Sequence, residues 1–171
     1  MFTDPLKNLK ALGLREDNVV ADLGAGTGYY SVLLGALVPR GKVYAVEVQK
    51  DFLETIKNKV KEAHLGNVEI IWGNIEKIGG TKLNEGVADA VIVSNVLFQA
   101  EDKENFILEI KRILKQNGKV LLVDWLSSAI MKEKNTVPKN KAREMFEKKG
   151  FIVDREINAG DYNYGMILRK N

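Results

Sequence analysis

The sequence predicts an α/β fold on a doubly wound, mostly parallel sheet, and three features carry that expectation. Val19 to Leu23 is a short apolar run that breaks into Gly24, Gly26 and Gly28, after which Tyr29 to Leu37 continues at helical spacing. Strand, glycine turn, helix is the opening unit of such a sheet. Apolar strand-like runs then alternate with amphipathic helical segments. Finally, Phe151 to Ile157 and Tyr164 to Arg169 are joined by the short link Asn158-Ala159-Gly160-Asp161, which suits an antiparallel hairpin.

Each element has a local reason. Asp4-Pro5 is an N-cap with proline at the first helical position, so Leu6, Leu9 and Leu12 should form a short amphipathic helix closed near Gly13. Glu16-Asp17-Asn18 is the polar turn into the first strand. Pro39-Arg40-Gly41 turns the chain after the first crossover helix, and Val43 to Val48 is a second buried strand ending in an acid. Asp51 to His64 reads as a helix with Phe52, Ile56 and Val60 on its buried stripe and Gly66 as its C′ residue. His64, the sole histidine, is expected to cap carbonyls in the last turn rather than to catalyse.

Val68 to Trp72 is the third strand, followed by Gly73-Asn74-Ile75. Gly79 to Gly86 reads as a flexible loop. Ala88 to Val93 is the fourth strand. Asp102 caps a helix buried through Phe106, Ile107, Ile110, Ile113 and Leu114, and Asn117-Gly118 is expected to end it. Lys119 to Val123 is the fifth strand, running into Asp124-Trp125. A polar loop to Pro138 leads to a charged helix over Lys139 to Lys149, closed by Gly150.

Composition narrows the function. A chain of 171 residues suits one domain, here residues 1–171, with one sizeable core. No apolar run approaches the ~18 residues of a membrane span, and Met1 to Pro5 has no leader-like pattern, so a cytoplasmic location is expected. With no cysteine, disulfides, thiolate metal sites and cysteine nucleophiles are excluded. A net charge of +3, with lysines and glutamates interleaved, implies solvated helix faces rather than a nucleic-acid surface.

The glycine turn points to a ligand. Its backbone can be approached closely, and the following helix offers free N–H groups and the positive end of its dipole. A dinucleotide fingerprint needs glycine at the sixth position, where Tyr29 stands, so an NAD-binding domain is disfavoured. The Gly-Lys-Ser/Thr ending of a phosphate-binding loop is absent. Glu47 falls about 20 residues beyond the turn, the spacing at which a carboxylate takes ribose hydroxyls.

Asp22-x-Gly24-x-Gly26-x-Gly28 resembles the first motif of the class I S-adenosylmethionine (SAM)-dependent methyltransferases, and the likeness extends over nearly the whole chain. Ile113-Leu114-Lys115-Gln116-Asn117-Gly118-Lys119-Val120-Leu121-Leu122-Val123-Asp124-Trp125 is most similar to the type-11 group, which includes quinone- and other small-molecule methyltransferases. The resemblance implies a Rossmann-like seven-stranded sheet of order 3-2-1-4-5-7-6 with strand 7 antiparallel. It implies SAM as cofactor, S-adenosylhomocysteine as product and no metal. By it, Asp22, Gly24, Ala25, Gly26, Gly28, Tyr29, Glu47 and Val48 bind the cofactor. Asn74 stands where the family usually has an acid that accepts the adenine amino proton, with the Ile75 N–H meeting adenine, and the Ser94 backbone meets the methionine end. Tyr30, Asn95, Phe98, Gln99 and Trp125 lie near the expected methyl position. No general base is named by it. The acceptor is expected to be a small or hydrophobic molecule; the alternatives are a protein or RNA acceptor at an open site, or a non-catalytic SAM-binding subunit. The short first helix and short loop after strand five imply a minimal lid, which a homodimer or partner subunit would close.

Overall fold

The computed structural model describes residues 3–127 and 132–171. The first helix, α1 (Pro5–Leu12), begins at Asp4, whose side chain accepts the Lys7 N–H, and ends at Gly13 in the left-handed region. Then come β1 (Val19–Leu23), α2 (Tyr29–Leu37), β2 (Lys42–Glu47), α3 (Lys50–Glu62) and β3 (Val68–Trp72). The second half is β4 (Ala88–Ser94), a 3₁₀ turn (Leu97–Gln99), α4 (Lys103–Ile113), β5 (Leu114–Trp125), a second 3₁₀ turn (Glu133–Asn135), α5 (Lys139–Glu147), β6 (Phe151–Ile157) and β7 (Asn163–Lys170).

The seven strands form one sheet in the order β3-β2-β1-β4-β5-β7-β6. Pairings from β3 through β5 are parallel, and β7 is antiparallel to both β5 and β6. Successive strand residues bury opposite faces, as a sheet covered on both sides requires. Val20, Val43, Ala90, Ile92, Leu121 and Val123 pack with Leu9, Leu12 and Leu34 of α1 and α2. Ala21, Leu23, Val46, Val91, Val93, Val120 and Leu122 pack with Phe106, Ile107, Ile110 and Ile113 of α4 and Phe146 of α5. Ile56 and Val60 seat α3 over Ala45.

Three local expectations are corrected. Helix α4 ends at Ile113 instead of Asn117-Gly118, because strand pairing begins at once: Ala88 pairs with Leu114 and Ala90 with Lys119, and Asn117 takes a φ of +61° in the excursion between. The left-handed residue after α3 is His64 (φ +53°), not Gly66. Its backbone N–H donates to Lys61 O, and the Leu65 N–H donates to Val60 O. The glycine-rich loop after β3 is pinned, not loose: the Gly79 N–H, the Thr81 N–H and the Thr81 hydroxyl all donate to the buried Glu109 carboxylate. Of the polar loop after β5, residues 128–131 lie outside the described residues, as do Met1 and Phe2.

Candidate functional site

A cleft of about 670 Å³ opens at the carboxyl edge of the sheet, where the strand order reverses around β1. In open α/β sheets this is where ligands bind. Its walls come from the turn after β1, the end of β2, the segment after β3 and the segment after β4.

The three glycines of the turn do different jobs. All have positive φ, at +70° for Gly24, +53° for Gly26 and +77° for Gly28. A methyl group on Gly24 would lie 2.7 Å from Val96, and one on Gly28 would lie 2.9 Å from Ile56. On Gly26 it would meet nothing nearer than the Gly24 carbonyl at 4.0 Å. Packing accounts for the outer glycines; the middle one faces open space in the cleft. The Gly24 and Ala25 N–H groups both donate to Val46 O, which fixes the turn against β2.

Glu47, at the end of β2, is 5% exposed yet lines the cleft. Its Oε1 accepts the Val48 and Gln49 N–H groups at 2.8 and 2.9 Å, and its Oε2 accepts the Gly26 N–H at 2.8 Å. A carboxylate has about four acceptor positions. Three are taken by backbone, so Oε2 retains capacity for one ligand hydroxyl. Asp22 lies behind the turn, away from the cleft lining, where its Oδ2 accepts the Ser31 hydroxyl at 2.6 Å. Burial pushes Asp22 up to about 6, against the Ser31 hydrogen bond and with help from the Glu47 charge.

After β3, Asn74 Oδ1 accepts the Glu76 N–H at 2.9 Å. The Ile75 N–H, at the cleft wall, has no acceptor among the described residues. After β4, Ser94 and Asn95 line the cleft. Asn95 takes φ +55°. Its N–H donates to Val123 O at 2.8 Å, its carbonyl accepts from Gln99 Nε2 at 3.2 Å, and its Oδ1 accepts from Asn163 Nδ2 at 2.8 Å.

Of the residues expected to bind cofactor, Gly24, Ala25, Gly26, Tyr29, Glu47, Val48, Asn74, Ile75 and Ser94 line the cleft, and Asp22 and Gly28 stand behind it. Of those expected near the acceptor, Asn95 and Gln99 line it. Tyr30 is turned inward, its hydroxyl accepting from Asn8 Nδ2 at 3.3 Å and neighbouring Ser94. Phe98 packs against the main core. Its N–H and that of Trp125 are both taken by Asp124, which burial pushes up to about 6 against those two bonds and the Lys103 charge. Trp125 itself is not on the cleft wall. Helix α1 packs on the sheet face and likewise contributes nothing to the lining. Sequence reasoning missed Phe52, Glu76, Val96 and Ala100 on the walls. Phe52, in the first turn of α3 just beyond Glu47, had the position to suggest it. No group of three or more His, Asp or Glu side chains among the described residues is placed to hold a metal.

A family model described as a methyltransferase domain matches residues 14–151. A demethylmenaquinone methyltransferase of Geobacillus sp. is 28% identical over 117 residues, 68% of this chain and 49% of that protein. One from Lactococcus lactis is 30% identical over 119 residues, 69% of this chain and 46% of that protein. The chain therefore spans about half the length of these curated relatives. The crystal structure of a SAM-dependent methyltransferase from Aquifex aeolicus is 27% identical, with a TM-score of 0.90 over 99% of this chain and 91% of that one. The strand order, the glycine turn and these matches agree: the chain belongs to the methyltransferase-domain family, as a class I SAM-dependent member of the type-11-like group.

Proposed function

We propose that this chain methylates a small hydrophobic acceptor of the hydroquinone type, with SAM held along the walls after β1, β2 and β3. The observation that carries the cofactor half is the open side of Gly26 beside Glu47. It provides backbone that a ligand can approach and a carboxylate oxygen for a ribose hydroxyl. Asn74 and the Ile75 N–H offer an acceptor and a donor to the edge of a base. A volume of about 670 Å³ suits a ligand of nucleoside size with a small acceptor beside it. The relatives named as demethylmenaquinone methyltransferases support the acceptor class.

When bound, SAM supplies a methyl carbon on a cationic sulfur; the acceptor atom bonds to that carbon as the carbon–sulfur bond breaks, S-adenosylhomocysteine leaves, and the acceptor's proton passes to water. The protein's part is alignment and exclusion of solvent. Glu47 and the turn fix one end of the ligand. Ser94, Asn95 and Gln99 form the wall beyond, where the acceptor is to be placed.

Calorimetric titration with SAM, S-adenosylhomocysteine and NADH tests the cofactor. Binding of the first two and not the third is expected; binding of NADH alone overturns the reading. Transfer of labelled methyl from SAM to 1,4-naphthohydroquinone then tests the acceptor class. Labelling of added RNA or protein with none of the hydroquinone would reject it.

A further inference from the structure

Asn95 and Asn163 are 68 residues apart in the chain, and their carboxamides meet at 2.8 Å. Asn163 opens β7 opposite Trp125 of β5 and is 5% exposed. Because β7 runs against its neighbour, its first residue lies at the carboxyl edge of the parallel strands, beside the cleft. Asn163 donates through Nδ2 and Asn95 accepts through Oδ1. Asn95 is held at its other polar groups as well, through its own N–H to Val123 and its carbonyl from Gln99. One group is left over: the Asn95 Nδ2 hydrogens have no partner among the described residues, on a residue that lines the cleft.

A carboxamide presents an acceptor on one side and two donors on the other. Whichever side is tied down decides what the other offers. We infer that Asn163 is a positioning residue that locks the Asn95 amide so that it offers N–H donors to the methyl acceptor, selecting an acceptor with a carbonyl, phenolic or carboxylate oxygen near the methylated atom. This rests on the methyl-transfer reading of the cleft. A site that donates to a substrate oxygen rejects analogues lacking it, because a donor stripped of water by the bound analogue is left unpaired.

The test compares Asn163→Ala with Asn163→Asp. Alanine frees the Asn95 amide to take either orientation. Aspartate only accepts, so it turns the Asn95 Nδ2 toward itself and presents Oδ1 to the cleft. With 1,4-naphthohydroquinone as probe, KM should rise about tenfold for alanine and more for aspartate, with kcat changing less and SAM affinity within twofold of wild type. Urea unfolding of both variants separates this ranking from structural damage, since a carboxylate buried at position 163 would disturb the fold as well. Nitrogen-15 spectra of the side-chain amides need no turnover and so decide the point even if that hydroquinone is not a substrate. Asn163→Asp should shift the Asn95 Nδ2 hydrogens downfield, and Asn163→Ala should not. Loss of SAM affinity in parallel with KM, or an Asn95 amide signal indifferent to aspartate, would overturn the inference. Failure of the wild type to bind SAM would instead strike the methyl-transfer reading and leave the amide shifts to decide the role of Asn163.

Discussion

The Gly26 N–H donates to Glu47 Oε2 at 2.8 Å, joining the first crossover turn to the end of the neighbouring strand. The same carboxylate holds the Val48 and Gln49 N–H groups. One side chain thus shapes two walls of the cleft before any ligand arrives. Glu47→Ala removes both this order and the proposed ribose acceptor. SAM affinity should fall by about 1–3 kcal/mol, roughly 5- to 150-fold, measured by calorimetry. Unchanged affinity would reject the ribose assignment.

The glycine turn separates packing from access. Gly24→Ala forces a methyl group to 2.7 Å from Val96 in a left-handed backbone, so the fold should lose about 2–4 kcal/mol by urea unfolding. Gly26→Ala meets only open space and should cost the fold about 1–2 kcal/mol from its φ alone. Its larger effect should be on SAM affinity, because the new methyl group stands in the cleft. Equal stability losses with no loss of binding at position 26 would show that the middle glycine is not at the ligand.

Burial holds Asp22 and Asp124 up at about 6. In the unfolded chain an aspartate titrates near 3.9. Between those values the folded chain binds more protons than the unfolded one, so stability contributed by these groups is full below pH ~4 and is lost as pH rises toward about 6. Asp124→Asn keeps an acceptor for one of the two N–H groups and removes the titration. Relative to the variant, wild type should weaken between pH 4 and pH 7 in urea unfolding. Parallel profiles would contradict the raised value.

Glu109 works in the opposite direction. Burial alone would raise it, but hydrogen bonds from Arg112, Thr81 and the loop backbone hold its carboxyl down at about 2. Its stabilisation is present above pH ~4.5 and is lost as pH falls toward 2. Glu109→Ala leaves Arg112 and three loop donors without their partner, and should cost about 3–5 kcal/mol at neutral pH. Denaturant unfolding at pH 7 checks it. A loss under 1 kcal/mol would mean that solvent replaces the carboxylate.

The alternation of strands and helices, the glycine turn and the place of Glu47 were legible in the sequence because each rests on a backbone rule: strand alternation, positive φ and the reach of a crossover unit; the order of the strands came from the family resemblance. The Asn74 and Ile75 positions came from the family resemblance at the turn after β3. The wrong helix end at Asn117-Gly118 came from reading local breakers where strand pairing with Ala88 prevails. Tyr30 reads the same in sequence whether it faces the cleft or the core. Asn8, from the helix packed on the same sheet face, and the neighbouring Ser94 hold its hydroxyl inward. Phe98 was likewise drawn against the core, and Asn163 had no signal at all, since its place depends on which end of a reversed strand lies at the carboxyl edge beside β5.

That reversed strand has a kinetic consequence. The cleft walls belong to parallel crossover units, but the Asn95 carboxamide gains its Asn163 partner only when β7 has paired with β5. Both this pairing, of Leu122 with Met166, and the β1–β4 pairing beneath the cleft, of Val20 with Ala90, join distant segments, and such pairings form slowly because chain entropy must be lost before the contact repays it. During refolding, secondary structure should therefore return ahead of a fully set site. A ligand that recognises the finished cleft would slow unfolding rather than hasten folding.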